Sequence, residues 1–158
     1  MLDLTPPCEA NQFYLSHVSL LLDSYQRLLG KPLLALSTEL PLGQQIVNAD
    51  FVLLSHNTDA DPLFNYANRM ALALFEFSWN ELIGMPSRFS AEPVNREERE
   101  RLLNQVAKHG FIDDYSGVRI AKSGQRFLIE RAVVWNLYDH GQNYCGQAAC
   151  FSHWRLLP

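Results

Sequence analysis

Histidine is the residue type in this sequence that can take part in the most kinds of chemistry, because its imidazole can ligate a metal ion or exchange a proton near neutral pH. The chain has five histidines, at His17, His56, His109, His140 and His153. None is paired with a second ligand at the spacing of a metal site. Only His56, at the end of a predicted strand, is retained as a candidate axial ligand of a haem group. A hydrogen bond to the neighbouring turn is the competing interpretation.

Nucleophilic and redox chemistry has little support in the sequence. The three cysteines, Cys8, Cys145 and Cys150, lack the CxxC spacing of a zinc or redox site, so we expect reduced thiols. The strings G-x-S-x-G and H-E-x-x-H and the phosphate-binding loop do not occur. Asp113 and Asp114 are adjacent, which on a strand sends the two carboxylates to opposite faces. We therefore predict that the chain is not an enzyme.

The charge of the chain argues against nucleic acid as a partner. Its 158 residues carry a formal net charge of −4, whereas nucleic-acid binding needs clustered cations that displace counterions from phosphates. Hydrophobic residues make up 47% of the chain, which is enough for one sizeable core. No stretch approaches the roughly 18 apolar residues of a membrane span and no secretory leader is recognisable, so we predict a cytoplasmic protein without a membrane partner.

Helical periodicity dominates the start of the chain. Apolar residues recur at steps of three and four between Tyr14 and Leu28, which predicts an amphipathic helix over residues 11–29 that Gly30 ends. Its wide apolar face favours packing on a sheet, with a dimer contact as the alternative. Residues 33–48 contain Pro and Gly that interrupt regular structure, so we interpret them as a connector.

The middle of the chain predicts a β-hairpin followed by short helices. Two short apolar runs flank the string SHNTDADP, whose Asn, Asp and Pro residues mark a turn. Helix formers follow from Asn68, and Ser78 with Glu81 has the spacing of a capping box that opens a second short helix. Asn95 with Glu98 repeats this spacing and predicts a third helix.

The last third of the chain alternates between apolar and polar residues, which is the period of β-strands. We predict strands over residues 115–120, 127–138 and 144–154, joined by the Gly-containing turns AKSGQ and DHGQ. Together with the hairpin they form a five-stranded antiparallel sheet. The fold class is therefore α+β, with short helices on one face of the sheet and an N-terminal helix.

Polar residues interrupt the longest predicted strand at Arg131 and Asn136. One parity of this strand is otherwise apolar, at Phe127, Ile129, Val133 and Trp135. Arg131 has the same parity, so its guanidinium becomes a buried charge that needs a partner if these side chains face the core. The candidate partners are Glu76, Glu92 or an anionic ligand.

The order of elements and several strings resemble the PAS superfamily, in which a five-stranded antiparallel sheet and short helices enclose a small-molecule pocket. The resemblance covers about residues 50–152 and rests mainly on DPLFNYANRMALALFEFSWNELIGMP and KSGQRFLIE. It implies a PAS-like domain at residues 50–158. An N-terminal helix and connector at residues 11–49 and a flexible leader at residues 1–10 precede this domain, all within one structural unit.

A narrower resemblance is to the MEKHLA group, PAS-like domains found at the carboxyl end of plant homeodomain-leucine zipper proteins and as stand-alone bacterial proteins. YANRMALALFE, MPSRFSAEPVNREER, GFIDDYSGVRI and YCGQAACFSHW carry this resemblance, and HVSLLLDSYQRLLG extends it towards the amino terminus. Neither a homeodomain nor a zipper occurs in this sequence, so the resemblance does not imply DNA binding.

Flavin photochemistry is the sharpest cofactor alternative, because DPLFNYAN and GMPSRF also resemble the light-oxygen-voltage subclass of PAS domains. The flavin-reactive Cys of that subclass lies in an N-C-R-F string, where this sequence has Ser87, a far weaker nucleophile. Ile129 replaces an Asn, and the displaced Gln147 is expected to point to the opposite sheet face. Arg88 remains available for a phosphate group. Flavin and haem are both disfavoured, and the sequence identifies no cofactor.

The resemblance implies a sensory or regulatory domain that binds an unidentified small molecule between sheet and helices. It also implies self-association as a homodimer through the helix of residues 11–29. The candidate pocket residues are His56, Asn65, Tyr66, Arg88, Arg131, Trp135 and Gln147. Two alternatives remain open: a protein-interaction module whose cavity is filled by its own side chains, and a small enzyme.

Overall fold

The computed structural model describes residues 4–91 and 96–158. In this part of the chain one antiparallel sheet contains β1 (Val52–His56), β2 (Phe64–Ala67), β3 (Phe111–Ile120), β4 (Arg126–Tyr138), β5 (Tyr144–Phe151) and β6 (His153–Leu156). The spatial order is β2-β1-β5-β4-β3, and β6 pairs with β4. The predicted α+β class and antiparallel sheet are confirmed, with one strand more than expected.

Short helices connect and cover these strands. They are α1 (Leu15–Leu29), α2 (Leu42–Val47), α3 (Arg69–Phe75), α4 (Trp79–Leu82) and α5 (Arg96–His109), with 3-10 helices at Glu9–Tyr14 and Ser87–Ser90. The predicted capping box that opens α4 is confirmed, because Ser78 and Glu81 exchange hydrogen bonds between side chain and backbone. Asn95, predicted to cap α5, lies outside the described residues. No described helix combines the length and the apolar composition that crossing a membrane requires.

The sixth strand results from a backbone irregularity at Arg131. This residue has a left-handed φ of 55° in the middle of β4. Opposite it, the strand predicted over residues 144–154 is interrupted at Ser152, and β5 and β6 pair with β4 on either side of the interruption. The prediction of a single strand there was wrong, because the alternating pattern of residue types does not reveal a bulge.

The same irregularity changes which side chains share a face of β4. Ile129 and Ala132, three residues apart, both belong to one hydrophobic core, whereas Val133 and Trp135 belong to the core on the other side of the sheet. The predicted common face was therefore wrong beyond Arg131, since the left-handed backbone at this residue reverses the alternation. The Arg131 side chain is exposed, which corrects the expectation of a buried charge.

Both faces of the sheet are covered. The inner face, which carries Val52, Phe127 and Phe151, packs against α3, α5 and part of α4. The outer face, which carries Leu53 and Trp135, packs against α1 and α2. Packing of α1 on the sheet therefore follows the first interpretation of its apolar stripe.

The N-terminal helix starts later than predicted. Residues 11–29 were expected to be helical, but Gln12, Phe13 and Tyr14 have φ values of 56°, 52° and 56°, and the regular helix begins at Leu15. Left-handed backbone is unfavourable for residues with a Cβ atom, so neighbouring contacts must hold this turn. Tyr14 stacks on Trp79, with ring centroids 5.2 Å apart.

Candidate functional site

A row of three polar side chains crosses the inner face where β4 ends. In the strand register, Gln147 of β5 lies opposite both His56 of β1 and Asn136 of β4. The Nε2 atom of Gln147 donates to the Oδ1 atom of Asn136 at 3.3 Å. The Nδ2 atom of Asn136 donates to the Val106 carbonyl at 3.5 Å and to the Tyr138 hydroxyl at 3.2 Å. We call His56, Asn136 and Gln147 the polar row.

The polar row faces the same side as the apolar interior. Gln147 has the parity of Ala149 and Phe151, which pack in the inner core. Asn136 has the parity of Val134, which also belongs to that core. The expectation that Gln147 points to the opposite face was therefore wrong. It was based on the position of the Gln in the light-oxygen-voltage subclass, whereas the strand register of β5 decides which face Gln147 occupies.

His56 offers a hydrogen-bond acceptor to this row. Its Nδ1 atom lies 3.0 Å from the Asn57 carbonyl oxygen, which can only accept, so Nδ1 carries the proton in the neutral ring. This is the turn contact that competed with the haem interpretation. The Nε2 atom is then an acceptor, and both His56 and Gln147 are half-buried. Across the row, a flat polar molecule would meet acceptors at His56 and at the Gln147 Oε1 atom.

Two of the predicted pocket residues lie on the outer face instead. Trp135 is completely buried under α1, and its indole Nε1 atom donates to the Leu21 carbonyl at 3.1 Å. Tyr66 is completely buried between the rings of His17 and Trp79, at centroid distances of 5.6 and 5.9 Å. Their expected place in the pocket is corrected, because the bulge in β4 turns Trp135 outward and the parity of β2 turns Tyr66 outward.

A third predicted residue, Asn65, belongs to a partly buried hydrogen-bond chain on the outer face. The Ser55 hydroxyl donates to the Asn65 Oδ1 atom at 2.6 Å, and the His17 Nε2 atom lies 2.9 Å from the same hydroxyl oxygen. Since the single hydroxyl proton goes to Asn65, His17 must donate rather than accept. Burial lowers the pKa of His17 to about 4, so the ring is neutral at pH 7.

This Ser–His contact does not have the properties of a nucleophilic pair. A catalytic histidine accepts the serine proton, whereas His17 donates to Ser55. Ser55 is also 1% exposed, so a substrate cannot reach its hydroxyl. Burial likewise raises the pKa of the Cys150 thiol to about 12, which leaves it an unreactive thiol. Among residues 4–91 and 96–158, no group of three His, Cys, Asp or Glu side chains could hold a metal ion.

The remaining two predicted residues are arginines on the surface. Arg88 is exposed, and its Nε atom lies 3.1 Å from both carboxylate oxygens of Asp61. Its guanidinium also lies 4.3 Å from the centre of the Phe89 ring. Arg131 is exposed on the bulge of β4. Glu76 accepts instead from the backbone of Ser123, and Glu92 lies outside the described residues.

The structure therefore brings His56 and Gln147 together and adds two residues that the sequence did not assign to a site. Asn136 was recognised only as an interruption of a strand, and its inner orientation depends on the bulge. His17 was considered only as one of five histidines without metal-ligand spacing, although its position beside Val18 places it near the buried side of α1. Ser55 pairs with Tyr66 across β1 and β2. This pairing is the signal that could have identified His17 as a partner of the outer-face polar groups.

Comparison with known proteins agrees with this architecture. The PAS domain of a protein from Colwellia psychrerythraea matches 72% of this chain and 92% of that one, with a TM-score of 0.59 and 15% identity. The light-state dimer of the fungal blue-light photoreceptor Vivid matches 81% and 90%, with a TM-score of 0.56 and 15% identity. The dark structure of the blue-light photoreceptor Aureochrome1 LOV matches 75% and 86%, with a TM-score of 0.54 and 20% identity.

These identities are low, so the likeness to the solved structures concerns the fold alone. No curated protein sequence matches the chain significantly. The MEKHLA domain family matches residues 15–156, a span that includes α1, every strand of the sheet and the polar row. The fold of the chain is similar to that of PAS domains, and the chain belongs to the MEKHLA domain family.

Proposed function

We propose that this chain is a regulatory domain that binds a small molecule against the inner face of its sheet, with the polar row as the recognition element. The observation that carries the proposal is that this face combines a few polar side chains with a mainly apolar surface. His56 and Gln147 are half-buried and retain acceptor capacity among the described residues, while the rest of the face is mainly apolar. An apolar surface with a few convergent polar groups is the usual composition of a ligand site.

The same face argues against a flavin as the ligand. Ile129 is 4% exposed in the inner core, where the flavin-binding subclass has an amide side chain, so a polar ring edge there would lose a hydrogen bond. Ser87 cannot supply the sulfur that an adduct requires. The ligand that suits the polar row is a small molecule with hydrogen-bond donors along one edge, because the row presents mainly acceptors.

Native mass spectrometry of freshly purified protein tests this proposal. A retained ligand mass is expected in the wild type, and Gln147→Leu should weaken its retention by up to about tenfold, the value of one neutral hydrogen bond. Gln26→Leu makes the same change at an exposed position of α1 and should leave retention unchanged. Protein that is empty in repeated preparations, or equal retention in both variants, would contradict the proposal.

A protein-interaction module with a filled interior is the second candidate function. It is favoured by the packing of the inner side, where Phe75 and Phe127 meet edge to face with ring centroids 5.2 Å apart. Under this alternative the output is association, for which residues 11–29 are the proposed homodimer contact. Since α1 uses Val18, Leu21 and Tyr25 against its own sheet, a dimer would have to use its other side.

Sedimentation equilibrium distinguishes this candidate. Leu15 is 39% exposed at the start of α1, so Leu15→Glu should shift a dimer towards monomer without unfolding the domain. Leu36→Glu, at an exposed site outside the helix, is the matched control. A monomeric wild type at high protein concentration would contradict self-association through this helix.

A further inference from the structure

A second polar feature lies at the opposite end of the inner face, on β3. Arg119 is paired with Phe127, and Gly117 with Ile129. Both partners belong to the inner core, so Arg119 and Gly117 also face inward. Tyr115 is 9% exposed and belongs to the same core. A Cβ atom on Gly117 would lie 2.4 Å from the Tyr115 hydroxyl oxygen, so the glycine makes room for that ring.

The guanidinium of Arg119 is half-buried and has only neutral partners. Its Nη2 atom donates to the Tyr115 hydroxyl at 3.2 Å, and its Nη1 atom donates to the carbonyl of Val118 at 2.8 Å. The cation lies 5.7 Å from the centre of the Tyr115 ring. Among the described residues no carboxylate lies within 4.0 Å of it. A partly buried cation without an anion is costly unless something else compensates its charge.

Three other arginines of the described residues do not share this situation. Arg88 has Asp61 as its partner, and Arg155 has Glu130. Arg131 is exposed to water, where hydration compensates the charge. Arg119 thus combines partial burial, inward orientation and neutral hydrogen-bond partners.

We propose that Arg119 anchors a small organic carboxylate at the end of the inner face where its half-buried guanidinium lies beside Tyr115. A guanidinium presents five N–H donors in a planar fork that matches a carboxylate, and the hydrogen bonds of Arg119 to Val118 and Tyr115 use two of them. The Tyr115 hydroxyl occupies one position that a carboxylate oxygen would take.

The Arg119 site is separate from the polar row. Phe127, opposite Arg119, and Asn136 of the polar row are nine positions apart on β4, which at the rise of a strand is roughly 25–30 Å. One small molecule cannot contact both ends. The Arg119 site is thus proposed in addition to the polar-row ligand. The two proposals share one requirement, which is that a ligand can reach the inner face of the sheet.

Thermal shift and isothermal calorimetry with benzoate and octanoate test the proposal, with benzamide and octanol as uncharged counterparts. At a concentration of about 100 times Kd, a carboxylate should raise Tm of the wild type by roughly 5–10 °C. The uncharged counterparts should give no comparable shift. Arg119→Gln should weaken carboxylate binding at least tenfold, whereas Arg131→Gln, which removes an exposed guanidinium, should not change it.

Tyr115→Phe provides a second test that keeps Arg119. Removing the hydroxyl frees one donor of the guanidinium, so carboxylate affinity should be kept or increased, and this measurement stands even where Arg119→Gln does not fold. Arg119→Lys keeps the charge but loses the planar fork, so its affinity should fall between those of the wild type and Arg119→Gln. Affinity lost in Tyr115→Phe would contradict the proposed role of Arg119.

The outcomes separate this proposal from the polar-row ligand. Failure of both carboxylates to shift Tm of the wild type would overturn the Arg119 site, as would equal binding to Arg119→Gln or equal binding of the uncharged counterparts. Carboxylate binding that is lost in Gln147→Leu and kept in Arg119→Gln would also overturn it, while supporting the polar row. Carboxylate binding to Arg119 in protein that never retains a ligand would support this site and contradict the proposed polar-row function alone.

Discussion

Asn68 is the residue whose replacement should most clearly disturb the fold. It is completely buried between β2 and α3. Its Oδ1 atom accepts from the backbone N–H groups of Leu53 and Ala71, both at 3.1 Å. Its Nδ2 atom donates to the carbonyls of Phe51 and Ile46 at 2.8 and 3.2 Å. One amide thus caps α3 and joins it to β1 and α2.

Asn68→Ala removes all four hydrogen bonds. It leaves two backbone N–H groups and two backbone carbonyls buried without the partner that Asn68 provided. An unsatisfied buried polar group costs about 1–3 kcal/mol, and a lost helix cap about 1 kcal/mol. The four groups are neighbours, so their costs are not additive, and a water molecule can enter the space of the amide. We therefore expect a loss of about 3–5 kcal/mol in the free energy of unfolding.

Urea denaturation followed by tryptophan fluorescence measures this loss, since the chain has three tryptophans. Asn80→Ala is the matched control, because Asn80 is exposed on α4 and its replacement should change the stability by less than about 0.5 kcal/mol. The corresponding decrease in Tm is roughly 6–20 °C for a chain of this size. A loss below about 1 kcal/mol in Asn68→Ala would refute the assignment of Asn68 as a structural junction.

Three further substitutions can be measured in the same assay. Burial lowers the pKa of His17 from 6.5 to about 4. As pH falls from 6.5 to about 4, His17 is therefore protonated in the unfolded chain before it is protonated in the folded one. The free energy of unfolding should decrease by about 3 kcal/mol over this range. His17→Gln should remove most of that decrease, and an unchanged pH profile would count against it. Tyr66→Phe deletes a buried hydroxyl without a hydrogen-bond partner, so it should leave stability unchanged or raise it by about 1 kcal/mol; a loss of that size would show a missing partner. Gly146→Ala should cost about 3 kcal/mol or more, because φ is 134° and a Cβ atom would lie 2.2 Å from the His56 carbonyl oxygen. Gly124→Ala, with φ of 91° and open space around it, should cost only about 1–2 kcal/mol, and equal losses at the two glycines would contradict the steric argument.

Local patterns in the sequence predicted the elements of this fold well where a residue acts on its own neighbours. Ser78 and Glu81 form the predicted capping box, and Gly30 ends α1 in a left-handed conformation, because both effects depend on a few adjacent backbone groups. Alternation likewise predicted β4 almost to its ends. Each of these features is encoded within a few residues of where it occurs.

Features that depend on distant contacts could not be predicted in this way. The left-handed turn from Gln12 to Tyr14 opposes the intrinsic preference of those residues and exists beside contacts such as the stacking of Tyr14 on Trp79. Arg131 is similar, since it adopts a left-handed conformation in the middle of β4. At both places tertiary packing outweighs the local backbone preference of the residues. A single sequence does not show such distant contacts.

The bulge at Arg131 also explains why the sequence selected the wrong arginine. An inward guanidinium does need an anion, but the bulge reverses the strand parity that placed Arg131 inside. Arg131 itself lies outside, while Arg119, on the neighbouring strand and opposite Phe127, is the inward guanidinium. The inner face then has a cation at one end, acceptors at the other and an apolar middle containing Ile129, Ala132 and Val134. Such a surface favours an anionic head group at one end and a donor edge at the other, so the two sites should prefer different ligands.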